Sequence, residues 1–273
     1  MSFLDMEGKK VLVFGVANRK SVAFHVGHAL KEIGAEALYA VKTREIQDVA
    51  QKFLPPGSPI YVCNVEKEGD IEKLAFDIKQ EHSSLAGLVH SIAFANYSGG
   101  MNPFHETARS DFLQSVDISC YSLIHIARVF APLLERDASV VTLSISSTRM
   151  AAESYGFMGP VKAALDSTIC FLAKSFSNFS RIRFNAVGAG LLKTSSSAGI
   201  PEYIDYYLFA EQLTLRKKAL ATREVANVVA FLLSSRSSGI NAQTLVVDAG
   251  MSVNYFDRSV VRKSIRTNSD FHL

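Results

Sequence analysis

Apolar positions along this chain fall into two alternating patterns: short unbroken runs, and longer stretches with helical spacing. Lys10-Val11-Leu12-Val13-Phe14-Gly15 is a short run closed by glycine and predicts a buried strand. Ser21 then offers an N-cap, and Val22, Phe24, Val26, Ala29, Leu30 and Ile33 recur at mostly helical spacing until Gly34 stops the helix. The alternation repeats. Strands are predicted over 37–41, 60–65, 87–91, 139–144, 182–187 and 244–247, and helices over 43–53, 67–82, 110–134, 155–176 and 222–233. Residues 54–59 read as a loop, and the stretch between the sixth strand and Thr222 reads as irregular. Seven apolar strands alternating with six helices predict an α/β fold, a doubly wound seven-stranded parallel sheet with helices on both faces.

Composition narrows the class. The chain has 273 residues, 48% of them hydrophobic and 20% charged, so it is globular rather than disordered. No linker or composition break divides it, which predicts one domain over 1–256 followed by a polar, basic tail over 257–273 without helical periodicity. The formal net charge of +3 speaks against a dedicated nucleic-acid binder. Cys63, Cys120 and Cys170 are odd in number and widely spaced, which argues against a disulfide framework or a metal site and suits a reducing cytoplasm. No apolar run reaches the ~18 residues of a membrane span, and the N-terminus does not read as a signal peptide.

Candidate chemistry concentrates at the predicted carboxyl ends of the strands, where doubly wound sheets bind ligands. Gly15 to Ser21 is a strand-turn-helix passage able to hold a phosphate against free helical N–H groups, although its glycine spacing is not GxGxxG. Tyr155 and Lys162 are seven residues apart, about two turns of an ideal helix, and so share a face if both are helical. A tyrosine can hydrogen-bond a developing oxyanion, and a nearby ammonium lowers its pKa and can hold ribose hydroxyls. Taken alone, the pair is equally compatible with a surface Tyr and Lys on an amphipathic helix. After the second strand, Lys42 and Arg44 stand where an acid would accept ribose hydroxyls, and no acid precedes Glu45. With Thr43 as a helix N-cap, the segment leans toward NADPH over NADH, the alternative being that Lys42 and Arg44 simply start a solvated helix.

Several segments together resemble the enoyl-acyl-carrier-protein reductases, a divergent branch of the short-chain dehydrogenase/reductases. They are GVANRKSVAF (15–24), HSIAFA (90–95), DISCYSL (117–123), YGFMGPVKAAL (155–165), RFNAVGAG (183–190), KTSSSAGI (193–200) and VVDAG (246–250). Ordinary members of the superfamily place the tyrosine four residues before the lysine, where this chain has Met158. The resemblance implies a Rossmann-type domain that passes hydride from NADH or NADPH to the β-carbon of a trans-2-enoyl thioester on acyl carrier protein. Tyr155 would hydrogen-bond the enolate oxygen and Lys162 would hold the nicotinamide ribose. It also implies Gly15, Ser21 and Val22 at the pyrophosphate, Cys63, Asn64 and Val65 at the adenine, Ser91, Ile92 and Ala93 along the cofactor, and Thr194 near the nicotinamide or pyrophosphate. Phe94, Ala95, Ile145, Met158 and Leu191 would border the substrate, with Ile200, Tyr203 and Tyr206 in the acyl-pocket segment. A homotetramer is implied, with Tyr255 and Phe256 near a symmetric contact.

Three positions depart from the family pattern. Ile145 stands where many members have a second tyrosine, Leu191 where a proline is usual, and Asn64 where an aspartate binds adenine. The first two keep open a related reductase acting on another enoyl or carbonyl substrate, and a dinucleotide-binding protein without turnover is the rival outside enzymes. His90, His105 and His125 lack ligand spacing, and no metal is expected. Ser144, Ser146 and Ser147 read equally as substrate contacts or a polar strand end. Met158 and Phe171 read as core or pocket wall, and Arg216-Lys217-Lys218 as a solvated face or a surface for an acidic carrier.

Overall fold

The computed structural model describes residues 3–97, 100, 102–151, 156–200 and 202–265. Its centre is a sheet of seven parallel strands: β1 (Lys10–Phe14), β2 (Glu36–Val41), β3 (Ile60–Val62), β4 (Leu85–His90), β5 (Leu134–Ile145), β6 (Arg183–Ala189) and β7 (Thr244–Val247). The order is β3-β2-β1-β4-β5-β6-β7, so the winding reverses between β1 and β4, where Phe14 pairs with Ala40 on one side and His90 on the other. The crevice at the carboxyl ends of β1 and β4 is therefore the topological switch point.

The strands are apolar at both parities because both faces are covered. Leu12, Phe14, Leu38, Leu88 and Phe184 pack under α3 (Asp70–Glu81), α5 (Ser122–Phe130) and α6 (Met158–Phe176). Val11, Val13, Tyr39, Val89 and Val187 pack under α1 (Val22–Glu32) and α9 (Thr222–Leu233). The remaining helices are α2 (Arg44–Ala50), α4 (Arg109–Val116), α7 (Ser195–Ala198), α8 (Tyr203–Leu213) and α10 (Arg258–Ser264).

Several expectations need correction. The single helix over 110–134 is instead α4 and α5 joined by a π-helical turn, Asp117–Tyr121, and β5 begins at Leu134 rather than 139. The third strand ends at Val62, because Asn64 turns the chain, its Oδ1 accepting from the Glu66 N–H at 3.2 Å. The stretch after β6 read as irregular contains α8, which buries Ala210 and exposes Ile204, Leu208 and Phe209, a distribution without a clean apolar stripe. The tail contains α10, capped by the Asp257 carboxylate, which accepts from the Ser259 and Val260 N–H groups. Phe171 is 74% exposed, while Met158 is buried as expected.

Candidate active site

Gly15 follows β1 at φ +93°, a conformation that strains any side-chain-bearing residue, and donates its N–H to Ala40 O at 3.2 Å. A Cβ here would stand 2.0 Å from the Ser91 carbonyl oxygen, so the chain after β4 can lie against the turn only because residue 15 is glycine. Ser21 does occupy the N-cap of α1, yet its hydroxyl donates back to Asn18 O at 2.6 Å rather than capping the first turn. The Phe24 and His25 N–H groups donate to Ser21 O, which leaves those of Val22 and Ala23 at the opening of α1 for an outside acceptor, a ready anion site beside Gly15.

The chain leaves β4 through Ser91, Ile92 and Ala93, of which Ile92 packs on the core and Ala93 is exposed. Phe94 is held at both ends of its peptide, its N–H donating to Ser119 Oγ at 2.9 Å and its carbonyl accepting from the same hydroxyl at 3.3 Å. Ser119 lies in the π-helical turn, whose extra residue brings a buried hydroxyl to this loop. Reasoning from sequence missed Ser119, and the DISCYSL segment was the available signal. Ala95 packs against Phe157, Met158 and Val161 at the start of α6. A cleft lined by Asn96, Tyr97, Thr107, Asp111, Gly156 and Phe157 opens beside it.

Lys162 is 4% exposed, and its Nζ donates to Leu143 O at 2.7 Å, near the carboxyl end of β5. Burial pushes its ammonium down to about 8, opposed by the charge of Asp166 one turn along α6. Burial raises the Asp166 carboxyl, which accepts from the Thr244 hydroxyl at 3.1 Å. The buried Ser144 hydroxyl faces the same carboxyl and opposes the effect of burial on it. Tyr155 lies outside the described residues. The expected helix over 155–176 starts instead at Met158, because Gly156 at φ +52° breaks the helical path before Phe157. His90, fully buried next to this lysine, has its ring nitrogens on Thr142 Oγ1 and Ser122 Oγ at 2.9 and 2.8 Å. Burial lowers its pKa to about 3, so it is a neutral brace between β4, β5 and α5.

At the end of β2, Thr43 caps α2 by accepting from the Ile46 N–H at 3.3 Å, Arg44 donates to Gln47 Oε1 at 3.3 Å, and half-exposed Lys42 pairs with Glu66 at 2.6 Å. Cys63 is buried and burial pushes its thiol up to about 12, so its backbone rather than its sulfur is available there. The Asn64 N–H donates to Asp70 Oδ2 at 2.9 Å, and Val65 packs on the core.

The other positions group less tightly. Ile145 ends β5 half-buried, and Leu191 borders a second cleft with Tyr207, Glu211, Thr214 and Leu220. Two polar side chains are engaged within the chain. The Tyr203 hydroxyl donates to Leu192 O and accepts from Leu192 N–H at 2.8 and 2.9 Å, pinning α8 to the segment after β6. The Thr194 hydroxyl accepts from Ser197 N–H at 3.2 Å. Ile200 and Tyr206 are half-buried. Arg216 and Lys217 pair with Glu224 and Asp257, which reduces the charge this run offers a partner. Among the described residues, no group of three or more His, Cys, Asp and Glu side chains could hold a metal ion, and no helix is long and apolar enough to cross a membrane.

Comparison with known proteins agrees with this fold. The model of the family described as Enoyl-(Acyl carrier protein) reductase matches residues 15–252. An enoyl-[acyl-carrier-protein] reductase [NADH] FabI of Enterococcus faecalis is 32% identical over 246 residues, covering 90% of this chain and 98% of its own. An enoyl-[acyl-carrier-protein] reductase [NADPH] FabI of Staphylococcus aureus is 30% identical over 251 residues, with 90% and 98% covered. The crystal structure of an enoyl-[acyl-carrier-protein] reductase (NADH) from Aquifex aeolicus superposes with a TM-score of 0.86 at 29% identity, over 92% of this chain and 99% of that one.

Proposed function

The chain belongs to the enoyl-[acyl-carrier-protein] reductase family, and we propose that it reduces trans-2-enoyl thioesters carried on acyl carrier protein during fatty-acid elongation. The observation that carries the reading is Lys162: a buried ammonium held on the Leu143 carbonyl at the carboxyl end of the sheet, seven residues after a tyrosine in the family's spacing. The residues present suit a nicotinamide dinucleotide. Gly15 admits close approach of the chain at the switch point, and the opening of α1, without a side-chain cap, suits a pyrophosphate.

Bound there, the cofactor supplies the hydride for the β-carbon of the enoyl group. Tyr155 donates a hydrogen bond to the thioester oxygen as negative charge develops on it. Lys162 donates to ribose hydroxyls while its Leu143 bond fixes its direction, and its positive charge favours the charge on the oxyanion. Gly15, Ser21 and Val22 hold the pyrophosphate, Cys63, Asn64 and Val65 border the adenine, and Ser91, Ile92, Ala93 and Thr194 line the cofactor. Phe94, Ala95, Ile145, Met158, Leu191, Ile200, Tyr203 and Tyr206 border the acyl chain, with Tyr203 acting through its ring because its hydroxyl is engaged on Leu192.

Lys42, Arg44 and the Thr43-capped start of α2 favour NADPH over NADH. The reading also carries a homotetramer in the cytoplasm, supported by Tyr255 and Phe256, 83% and 81% exposed in the single chain. Cofactor oxidation with crotonyl and longer enoyl thioesters, run with NADPH and NADH beside a panel of ketones, tests the proposal. Turnover of the enoyl thioesters, faster with NADPH, is expected. Reduction of ketones alone, or binding without turnover, would overturn it. A preference for NADH would overturn the cofactor choice, and Lys42→Ala with Arg44→Ala should abolish the preference for NADPH.

A further inference from the structure

No acid ends β2, yet a carboxylate stands beside its cation. Glu66, beyond the end of β3, places Oε2 2.6 Å from Lys42 Nζ, and its Oε1 accepts from Gln114 Nε2 of α4 at 3.0 Å. Lys42 Nζ also lies 5.6 Å from the centre of the Phe94 ring, in the chain leaving β4. The lysine thus meets side chains from the connections after β3 and β4. Glu66 is three-quarters buried at its side chain, and the Lys42 hydrogen bond foremost holds its carboxyl below the usual range against the opposing effect of burial.

We propose that Glu66 is a specificity-determining residue for the cofactor: the loop after β3 supplies the carboxylate that the end of β2 lacks, and it competes with an adenosine 2′-phosphate for Lys42. The inference rests on the reading that the adenosine end of the dinucleotide lies at Lys42 and Arg44. A phosphate approaching Lys42 meets a like charge already in contact with the ammonium. Swinging Glu66 aside breaks its Gln114 bond as well, so Gln114 helps keep the carboxylate in place. A ribose with a free 2′-hydroxyl instead presents a donor that a carboxylate accepts, the role of the acid that ends β2 in NAD-binding folds. Lys42 and Arg44 therefore attract the phosphate against a counterweight on the next strand's loop.

The test is binding rather than turnover. Calorimetric titration of the full chain with adenosine 2′,5′-bisphosphate and with adenosine 5′-monophosphate compares ligands that differ only in the 2′-phosphate. Glu66→Gln should tighten the bisphosphate about tenfold, or about 1.4 kcal/mol, and move the monophosphate by about twofold or less. The gain should vanish when Lys42→Ala is added and shrink with added salt. An unchanged bisphosphate affinity, equal changes for both nucleotides, or a gain that survives without Lys42 would overturn the role of Glu66 and leave the cofactor reading standing. A wild-type chain that binds neither nucleotide would overturn that reading and this proposal with it.

Discussion

Replacing Gly15 with alanine tests whether the turn at the switch point is as tight as it looks. Two separate effects act there. At φ +93° an alanine incurs backbone strain of about 1–3 kcal/mol. Its Cβ would also stand 2.0 Å from Ser91 O and 2.8 Å from Ser91 C, backbone atoms that cannot rotate away, so the chain after β4 must shift, at about 1–3 kcal/mol for overpacking. Gly57 supplies the control. It has φ +81°, but a Cβ there would meet nothing within 4 Å, so Gly57→Ala should incur about 1–2 kcal/mol of strain alone. Gly15→Ala should therefore be the worse variant by about 2 kcal/mol. With a urea dependence of about 2–3 kcal/mol per molar, the two unfolding midpoints should differ by nearly ~1 M. Gly15→Ala should also weaken dinucleotide binding, because Ser91 is displaced from the crevice, while Gly57→Ala should not. Equal midpoints for the two variants would refute the close approach of Gly15 to Ser91.

Tyr155→Phe should lower turnover about 10²–10³-fold with cofactor affinity nearly intact, whereas Lys162→Ala should weaken cofactor binding too; wild-type kinetics and affinity in both would refute the assignment. Burial holds the Lys162 ammonium at about 8, so cofactor affinity should fall as pH rises past that value, and a flat binding profile through pH 9 would contradict it. The His90 imidazole, lowered to about 3 by burial, stays neutral in the folded protein while the unfolded chain takes up a proton below about 6.5. Stability should therefore fall as pH falls through that window, by about 2 kcal/mol from this group at pH 5, and urea unfolding of His90→Gln should show a shallower acid limb. Ile145→Tyr restores a phenol at the end of β5 and should shift the affinity of diphenyl-ether inhibitors that occupy this family's pocket; unchanged affinity would show that Ile145 does not face the site.

What the linear pattern determined by itself was the layered sheet. Both parities of β1 are apolar, Val11 and Val13 for one face and Leu12 and Phe14 for the other, and such a strand must be covered twice. The motif-bearing positions were legible for a related reason: Gly15, just after β1, and Lys162, in α6, are tied to local backbone and to a fixed chain separation. Tertiary structure decided what each polar side chain meets. Ser21 caps by position but turns its hydroxyl to Asn18, and Tyr203 and Thr194 engage theirs on the segment after β6. Glu66 reaches Lys42 over 24 residues of sequence, a pairing that exists because β2 and β3 are neighbours in the sheet. The π-helical turn escaped notice because one extra residue shifts the apolar period without ending it, yet it aims Ser119 at Phe94. Hydrophobic burial is additive along a strand or helix and so leaves a periodic trace in the sequence. A hydrogen bond or ion pair depends on sub-ångström placement of two distant groups, and leaves none.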